Sequence, residues 1–336
     1  MRAIVVDRLE GLDAIRITDA PGDAPEPEGC HERARGRRLL IDVHAAGLSP
    51  IDVLQAKGAY QYGTTPPYVA GSEVAGVVRE ADPGAGFEVG QRVAGIVFWG
   101  ALGERCLLAP EYTIALPDEV SFAEGASVYL NYSTAWFAYH RARVEPGQTV
   151  LVHGAAGGVG QAALDLASVF GAKAIAVVSS DAKAEFARAS GAWQVVRSTG
   201  PWRAEVQELT GGHGVDVVLD PVGGDRFTDS LRALRAGGTL VVIGFVGGSI
   251  PEVKVNRLLM RNLTVTGISM DTYDAEHPGT LELVRDSVQA LLAEGRIHPH
   301  IGARFPFEQG IDALRLVERG TTLGKVVVDL ASGPRS

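Results

Sequence analysis

The pattern of apolar and polar positions divides the chain into two parts that meet near Thr149. Before that residue, short β-rich runs alternate with Gly/Pro turns and lack helical periodicity, a pattern typical of an irregular β domain. A segment rich in Pro, Glu and Arg at 21–38 predicts an exposed loop. The β-rich runs are Ala3–Val6, Leu39–His44, Glu73–Arg79, Arg92–Phe98 and Arg105–Ala109.

After Thr149, strand-length apolar runs alternate with helical patterns. Buried-looking strands joined by helices predict a doubly wound parallel sheet, so the fold class is α/β. The predicted strands are Val150–Val152, Ala174–Val178, Gln194–Val196, Val215–Leu219, Thr239–Ile243 and Leu263–Ile268.

Two further regions complete the predicted layout. Ser121 to Glu124 fits a capping box that opens a helix, and a second helix is predicted over Tyr129–Arg141. The tail after about residue 270 is too small to fold alone, so we expect it to pack back on the first segment. Its predicted elements are helices at Thr280–Glu294 and Gln309–Glu318 and strands at Phe305–Phe307 and Lys325–Leu330. The expected domains are 1–121, 122–264 and, returning to the first, 265–336.

Composition narrows the possible functions. The formal net charge is −9, which argues against nucleic acid or an anionic membrane as the main partner. Two cysteines suit a reducing compartment and offer no disulfide framework. The N-terminus is typical of a strand rather than a signal peptide, and the apolar runs are too short to span a bilayer. We therefore expect a soluble cytoplasmic protein.

The most informative segment is Thr149-Val-Leu-Val-His-Gly-Ala-Ala-Gly-Gly-Val-Gly160, where an apolar strand runs into glycines and then into a helical pattern. Strand, glycine turn and helix N-terminus together form a cradle for a pyrophosphate. The glycines are spaced Gly154-x-x-Gly157-x-x-Gly160 rather than G-x-G-x-x-G, but a second strand follows, as a βαβ unit requires. The candidate cofactor-binding residues here are Ala155, Gly157, Gly158, Val159 and Gly160.

Several motifs resemble those of the medium-chain dehydrogenase/reductase superfamily and, within it, the zinc-independent quinone oxidoreductase-like branch. They are Gly47-Leu-Ser-Pro-Ile-Asp52, Gly71-Ser-Glu-Val-Ala-Gly76, Ala155-Ala-Gly-Gly-Val-Gly160, Gly214-Val-Asp-Val-Val-Leu-Asp-Pro-Val-Gly-Gly224 and Gly237-Gly-Thr-Leu-Val-Val-Ile-Gly244. The resemblance covers nearly the whole chain. It implies a GroES-like irregular β-barrel catalytic domain joined to a Rossmann domain, with a cleft between them.

The resemblance also bears on metal binding. Zinc alcohol dehydrogenases carry a Cys where this chain has Ser49 and a His where it has Ser72. Glu73 alone cannot hold a catalytic zinc, which needs about three protein ligands. We expect no metal, and hence hydride addition to an activated acceptor, such as a quinone or an α,β-unsaturated carbonyl, rather than oxidation of a simple alcohol.

The end of the second predicted parallel strand indicates the nucleotide. NAD enzymes place an acid there to accept from the ribose 2′-OH, whereas this strand ends in Ser179 and Ser180, with Lys183 close behind. These side chains suit a 2′-phosphate, so we expect NADPH, and we expect Asp181 to cap the following helix. By resemblance, a family tyrosine in this region is replaced by Ser198, next to Arg197, and a family arginine corresponds to Arg319.

The resemblance implies the remaining site residues. Tyr60 would bind the acceptor oxygen or donate the final proton, with protonation by solvent as the alternative. Ser49 and Asn131 complete the candidate catalytic set, and Asp52 is expected to anchor its loop. Thr134, one helical turn from Asn131, and the loop residues Gly244, Phe245 and Val246 would contact the nicotinamide side of the cofactor.

Two alternatives to quinone or enone reduction remain open. An enoyl reductase acting on acyl-CoA or carrier-bound chains would want a basic lip, for which Arg33, Arg35, Arg37 and Arg38 are the obvious cluster. A catalytically silent NADPH-binding sensor is the second. Relatives often pair through the edge of the nucleotide-domain sheet, so we expect a homodimer with Leu263–Ile268 as the candidate edge.

Overall fold

A computed structural model describes residues 1–19, 38–60 and 65–330. The strands are β1 (Arg2–Val6), β2 (Ile15–Asp19), β3 (Leu39–Leu48), β4 (Tyr68–Val69), β5 (Glu73–Ala81), β6 (Arg92–Ile96), β7 (Arg105–Leu108), β8 (Thr113–Ala115), β9 (Thr149–Val152), β10 (Lys173–Val178), β11 (Gln194–Arg197), β12 (Val215–Asp220), β13 (Leu234–Val242), β14 (Thr264–Gly267), β15 (Ile301–Pro306) and β16 (Lys325–Asp329). The helices are α1 (Pro50–Ala56), α2 (Phe122–Gly125), α3 (Tyr129–Ala142), α4 (Gly158–Val169), α5 (Asp181–Ala189), α6 (Trp202–Leu209), α7 (Phe227–Ala233), α8 (Asn256–Arg261), α9 (Met270–Glu276), α10 (Thr280–Ala293) and α11 (Gly310–Arg319).

The chain forms two compact units. The first comprises Met1–Leu130, Leu281–Gly295 and Pro299–Ser336, and the second comprises Asn131–Thr280 and Arg296–His298. The first division falls after α2, which packs on β3 and β5 of the first unit. Most of the predicted loop at 21–38 and the arginines at 33, 35 and 37 lie outside the described residues.

The first unit is built on two sheets. A three-stranded sheet has the order β2-β1-β4, and a seven-stranded sheet has the order β15-β16-β3-β5-β6-β8, with β7 also paired to β3. The tail does return to the first segment, since β16 pairs antiparallel with β3 from Val326 opposite Leu48 to Asp329 opposite Ala45. Apolar side chains from both segments form one core, including the fully buried Val74, Val93, Leu314 and Val328.

The second unit contains a six-stranded parallel sheet in the order β11-β10-β9-β12-β13-β14, which confirms the predicted doubly wound architecture. Its core includes the fully buried Leu151, Ile175, Val218 and Leu240, one from each of four adjacent strands. In this strand order the topology reverses beside β9, where open α/β sheets bind their ligands at the strands' carboxyl ends. The glycine turn follows β9 at that end.

The short segment Arg296–His298 belongs to the second unit and is held by hydrogen bonds to α4. The backbone N–H of His298 donates to Asp165 Oδ2 at 2.5 Å, and Gln161 Nε2 donates to the carbonyl oxygen of His298 at 3.0 Å. The phenol of Tyr132 donates to the same Asp165 oxygen at 2.7 Å. None of the described helices is long and apolar enough to cross a lipid bilayer.

Candidate functional site

The glycine turn between β9 and α4 is closed by backbone contacts. A Cβ on Gly160 would lie 2.2 Å from the carbonyl oxygen of Gly154, so no larger residue fits there without moving the backbone. Gly154 has φ 58°, a conformation that favours glycine. Gly157 is the N-cap of α4 and makes no side-chain cap, which leaves the first N–H groups of the helix without a capping side chain. The turn has the form of an anion cradle.

Asn131 on α3 packs directly on this turn. A Cβ on Gly158 would lie 2.6 Å from Asn131 Nδ2 and 2.8 Å from its Oδ1, so the amide fills the space that glycine leaves. Asn131 is 5% exposed, and Thr134, one turn along the same helix, is half-buried. The structure thus brings Asn131 to the predicted cofactor-binding glycines. Ala155 is fully buried beside them, and Val159 is half-buried.

Two loops at the carboxyl ends of β12 and β13 are bonded to each other. The buried Asp220 carboxylate accepts from the backbone N–H groups of Val222 and Gly223, both at 2.9 Å, and so shapes the first loop. Val246 N donates to Pro221 O at 3.2 Å, which joins the second loop to the first. Phe245 is half-buried and Val246 is exposed. The predicted residues Gly244, Phe245 and Val246 therefore form a braced loop at this edge of the sheet.

His153 underlies the glycine turn at the end of β9. Its ring is fully buried, its Nε2 lies 2.8 Å from Ser230 Oγ, and it packs edge-on against Trp202. Burial lowers the pKa of His153 to about 4, partly offset by the charge of Asp220. The imidazole is therefore neutral at neutral pH and supports the strand end through packing and one hydrogen bond.

Ser179 and Ser180 follow the end of β10 and Lys183 lies in the first turn of α5, but the helix cap differs from the prediction. Ser180, not Asp181, is the N-cap of α5, and its Oγ accepts from Lys183 N at 3.3 Å. Asp181 is instead paired with Arg197, the last residue of β11. A carboxylate one position inside a helix cannot reach back to cap it as readily as the residue before it.

In the first unit, Ser49 and Asp52 form a capping box at the start of α1. Ser49 N donates to Asp52 Oδ2 at 2.6 Å, and the Ser49 hydroxyl lies 3.5 Å from that of Ser72. Asp52 thus anchors its loop as expected, and burial raises its pKa. Tyr60 is half-buried, and Arg319 is exposed at the end of α11. Ser49, Tyr60 and Arg319 belong to the first unit, while the other predicted site residues belong to the second.

A buried ion pair lies beside the capping box. Lys325 Nζ is 2.6 Å from Glu73 Oε2, and the two side chains are 3% and 0% exposed. The other carboxylate oxygen of Glu73 accepts from Leu130 N at 2.9 Å. Burial raises the pKa of Glu73, while the charge and hydrogen bond of Lys325 lower it. Sequence reasoning missed Lys325, because a lysine that opens a short strand gives no sign of burial.

Tyr68 is a second residue that the sequence did not reveal. Its phenol is buried and has no hydrogen-bond partner among the residues that the structure describes. Burial, with the nearby charge of Asp52, raises the pKa of Tyr68 well above its usual value, so the phenol stays protonated. Within the described ranges, no group of three or more His, Cys, Asp or Glu side chains is placed to hold a metal ion.

Comparison with known proteins agrees with this architecture. Residues 35–118 match the alcohol dehydrogenase GroES-like domain, and residues 158–286 match the zinc-binding dehydrogenase domain. Quinone oxidoreductase-like protein 2 of Mus musculus is 37% identical over 91% of this chain and 87% of its own length.

Two solved structures are similar to nearly the whole chain. The quinone oxidoreductase of Thermus thermophilus, solved alone and with NADPH, is 32% identical with a TM-score of 0.82, covering 98% of this chain and 100% of its own. A mycobacterial protein complexed with NADPH is 31% identical with a TM-score of 0.86 and the same coverage. The GroES-like domain, the six-stranded Rossmann sheet and the similarity to these relatives give the same assignment. The chain belongs to the medium-chain dehydrogenase/reductases, in the quinone oxidoreductase-like family.

Proposed function

We propose that this chain is an NADPH-dependent reductase that transfers a hydride to a quinone or to an α,β-unsaturated carbonyl. The observation that carries the proposal is the glycine turn, in which backbone atoms leave no room for a Cβ on Gly160 and the amide of Asn131 packs against Gly158. Such a turn at the carboxyl end of a central parallel strand suits the pyrophosphate of a dinucleotide. The NADPH complexes of the Thermus and mycobacterial relatives support the same cofactor here.

Different groups of residues would bind the pyrophosphate, the nicotinamide and the 2′-phosphate of the cofactor. The turn residues Ala155, Gly157, Gly158, Val159 and Gly160 would hold the pyrophosphate, through backbone N–H groups at the start of α4. When bound, NADPH supplies a hydride. Asn131, Thr134 and the braced loop at Gly244, Phe245 and Val246 would orient the nicotinamide side. Ser179, Ser180, Lys183 and Arg319 are the proposed ligands of the 2′-phosphate.

We propose that the reaction proceeds without zinc. The residues at the relevant point of the first unit do not fit a catalytic zinc ion: Ser49 and Ser72 offer neutral hydroxyls, and the Glu73 carboxylate is paired with the Lys325 ammonium. Catalytic zinc sites use three Cys, His or carboxylate ligands. An acceptor that is already activated, such as a quinone, needs only hydrogen-bond donors as negative charge develops on its oxygen. Tyr60 is the proposed donor, and Ser49 lies in the same unit.

We further propose that the protein is a homodimer formed through the β14 edge. Strand β14 ends the six-stranded sheet, pairing with β13 on one side. Next to it, α8 exposes Leu259 and Met260, which are 76% and 77% exposed. A sheet edge beside exposed apolar side chains is a site where a second copy of the chain would pair. Sedimentation at micromolar protein tests this, and Leu259→Arg should then shift the protein to monomer.

Steady-state NADPH oxidation tests the proposed activity. The full chain is assayed with 9,10-phenanthrenequinone, a panel of enones and an enoyl-CoA, with NADH run in parallel and with chelator added. We expect turnover of quinones or enones, preference for NADPH, and no loss on chelation. Turnover of the enoyl-CoA alone would indicate an enoyl reductase, and tight NADPH binding without turnover would indicate a sensor. Preference for NADH would refute the cofactor assignment.

A further inference from the structure

The guanidinium of Arg197 lies across the loop that follows β10. Its Nη2 donates to the carbonyl oxygen of Ser179 at 2.9 Å, and its Nη1 is paired with the Asp181 carboxylate. Arg197 ends β11 opposite Val178, which ends β10, so the two strands deliver these residues to the same edge of the sheet. This is the corner where a Rossmann domain meets the adenosine ribose of its dinucleotide.

The two partners of the Arg197 guanidinium differ in how firmly they hold it. The Ser179 carbonyl belongs to the backbone, whereas the Asp181 side chain is 96% exposed and that of Arg197 is 35% exposed. An ion pair with such an exposed member is weak and is screened by salt. The backbone contact therefore fixes the guanidinium, while the carboxylate is a partner that another anion can replace.

Two buried polar atoms at this corner have no hydrogen-bond partner among the described residues. They are Nε of Arg197 and the hydroxyl oxygen of Ser198. Buried polar atoms in proteins are nearly always hydrogen-bonded, so each unpaired one calls for an explanation. Because both atoms are closed to solvent, an anion at this corner would reach them only after the two side chains shift.

We propose that Arg197 determines specificity for the 2′-phosphate of NADPH, and that Asp181 occupies its guanidinium until the phosphate displaces it. The proposal rests on the NADPH dependence proposed above. Arginine presents a planar set of donors that matches phosphate, and its charge does not titrate in proteins. A phosphate dianion would replace the single charge of Asp181 at Nη1, while the bond to the Ser179 carbonyl keeps the side chain in place.

The same geometry explains why an acid at this position is compatible with NADPH. NAD enzymes use an acid after the second strand to accept from the ribose hydroxyls. Here the Asp181 carboxylate is turned to Arg197 and so competes with the ligand for one cation. Asp181 would thus weaken phosphate binding moderately, because the phosphate must break that pair.

Calorimetry on the full chain with two small probes tests the proposal. Adenosine 2′,5′-bisphosphate and 5′-AMP differ only in the 2′-phosphate. We expect Arg197→Gln to weaken binding of the bisphosphate about tenfold or more, the scale of a lost charge-assisted hydrogen bond, and to leave 5′-AMP unchanged. Asp181→Asn should strengthen bisphosphate binding severalfold. Arg188→Gln, an exposed arginine on the same helix α5, is the matched control and should change neither probe.

The outcomes separate this proposal from the one on which it rests. If the unmodified protein binds both probes equally well, the NADPH assignment fails. If it prefers the bisphosphate and Arg197→Gln keeps that preference, Arg197 is not the determinant and only this inference is overturned. If Asp181→Asn strengthens bisphosphate binding as much in the Arg197→Gln variant as in the unmodified protein, Asp181 does not act through Arg197, and the proposed displacement is refuted. Should Arg197→Gln unfold, Arg197→Lys keeps the charge without the planar donor set and is still expected to lose affinity.

Discussion

The ammonium of Lys325 lies 2.6 Å from a carboxylate oxygen of Glu73, and neither side chain is appreciably exposed to solvent. Strand β16 from the end of the chain and strand β5 from its first part therefore meet through opposite charges inside the first unit. Because the other oxygen of Glu73 accepts from Leu130 N, the pair also fixes the first turn of α3.

Removing the lysine should be costly. Lys325→Met would leave the Glu73 carboxylate buried without its counter-charge, and we expect a loss of about 3–5 kcal/mol in the free energy of unfolding. Denaturant titration measures it. Adding Glu73→Gln, which removes the charge but keeps the acceptor for Leu130 N, should recover much of the loss. The exposed pair of Arg79 with Asp42 is the control, since Arg79→Ala should cost under about 1 kcal/mol. Equal losses from Lys325→Met and Arg79→Ala would contradict this interpretation.

Two alanine substitutions in the glycine turn should behave differently. Gly160→Ala forces the backbone of Gly154 to move, which we expect to cost about 1–3 kcal/mol of stability. Gly157→Ala is sterically tolerated, because its Cβ would lie 3.4 Å from the nearest atom and its φ is −87°. We expect it to keep the melting temperature and to weaken NADPH binding, since the new methyl group would intrude on the ligand. Thermal melts and NADPH titration measure both effects. Unchanged NADPH affinity in Gly157→Ala would place the cofactor elsewhere.

Tyr60 and Tyr68, both in the first unit, offer a matched pair for testing proton donation. Tyr60→Phe should lower kcat/KM for a quinone or enone about 100-fold if its phenol donates the proton. Tyr68→Phe removes a buried hydroxyl that lacks a hydrogen-bond partner within the described ranges, so stability should hold or rise. The dependence of kcat/KM on pH measures the effect of Tyr60→Phe, and denaturant unfolding measures the effect of Tyr68→Phe. An unchanged value in Tyr60→Phe would assign the proton to solvent.

His153 should make stability fall in mildly acidic solution. Its pKa is about 4 in the folded chain and near 6.5 in the unfolded chain, so between these values only the unfolded state takes up the proton. The stability that it contributes is complete above about pH 6.5 and is lost towards pH 4, by up to about 1.4 kcal/mol per pH unit.

His153→Gln, which keeps a polar side chain beside Ser230, should flatten that slope between pH 5 and 7. The exposed His213 is the control, and His213→Gln should leave the slope as it is. Denaturant unfolding at several pH values measures both variants. An unaltered slope in His153→Gln would mean that other groups carry the acid sensitivity.

Local patterns predicted the elements well where a strand or helix is specified by its own residues. The six parallel strands were identified because each is a short apolar run between turns, and the Ser121–Glu124 capping box forms as predicted. By contrast, β3 extends to Leu48, beyond the predicted His44, because β5 pairs with it as far as Gly47 and β16 from the far end of the chain pairs with it as far as Leu48. Extensions that depend on distant partners leave no mark in the local sequence.

In the candidate site, too, local features could be predicted from the sequence and long-range ones could not. Backbone requirements could be predicted, since Gly157, Gly158 and Gly160 follow directly from the strand–turn–helix pattern. Side-chain partners could not be predicted. Nothing near Asp181 in the sequence indicates that its carboxylate pairs with Arg197, or that Ser180 caps α5 in its place. Lys325 and Glu73 are 252 positions apart, and only the fold brings them together.

The packing of Asn131 on Gly158 has a consequence for how this turn can change over evolution. The two side chains compete for one volume, so a residue larger than glycine at position 158 requires the amide of Asn131 to move or to be replaced by a smaller side chain. Relatives with alanine at the second position should carry a smaller residue than asparagine at the first. Covariation between these two alignment columns, 27 residues apart in this chain, would record that exchange.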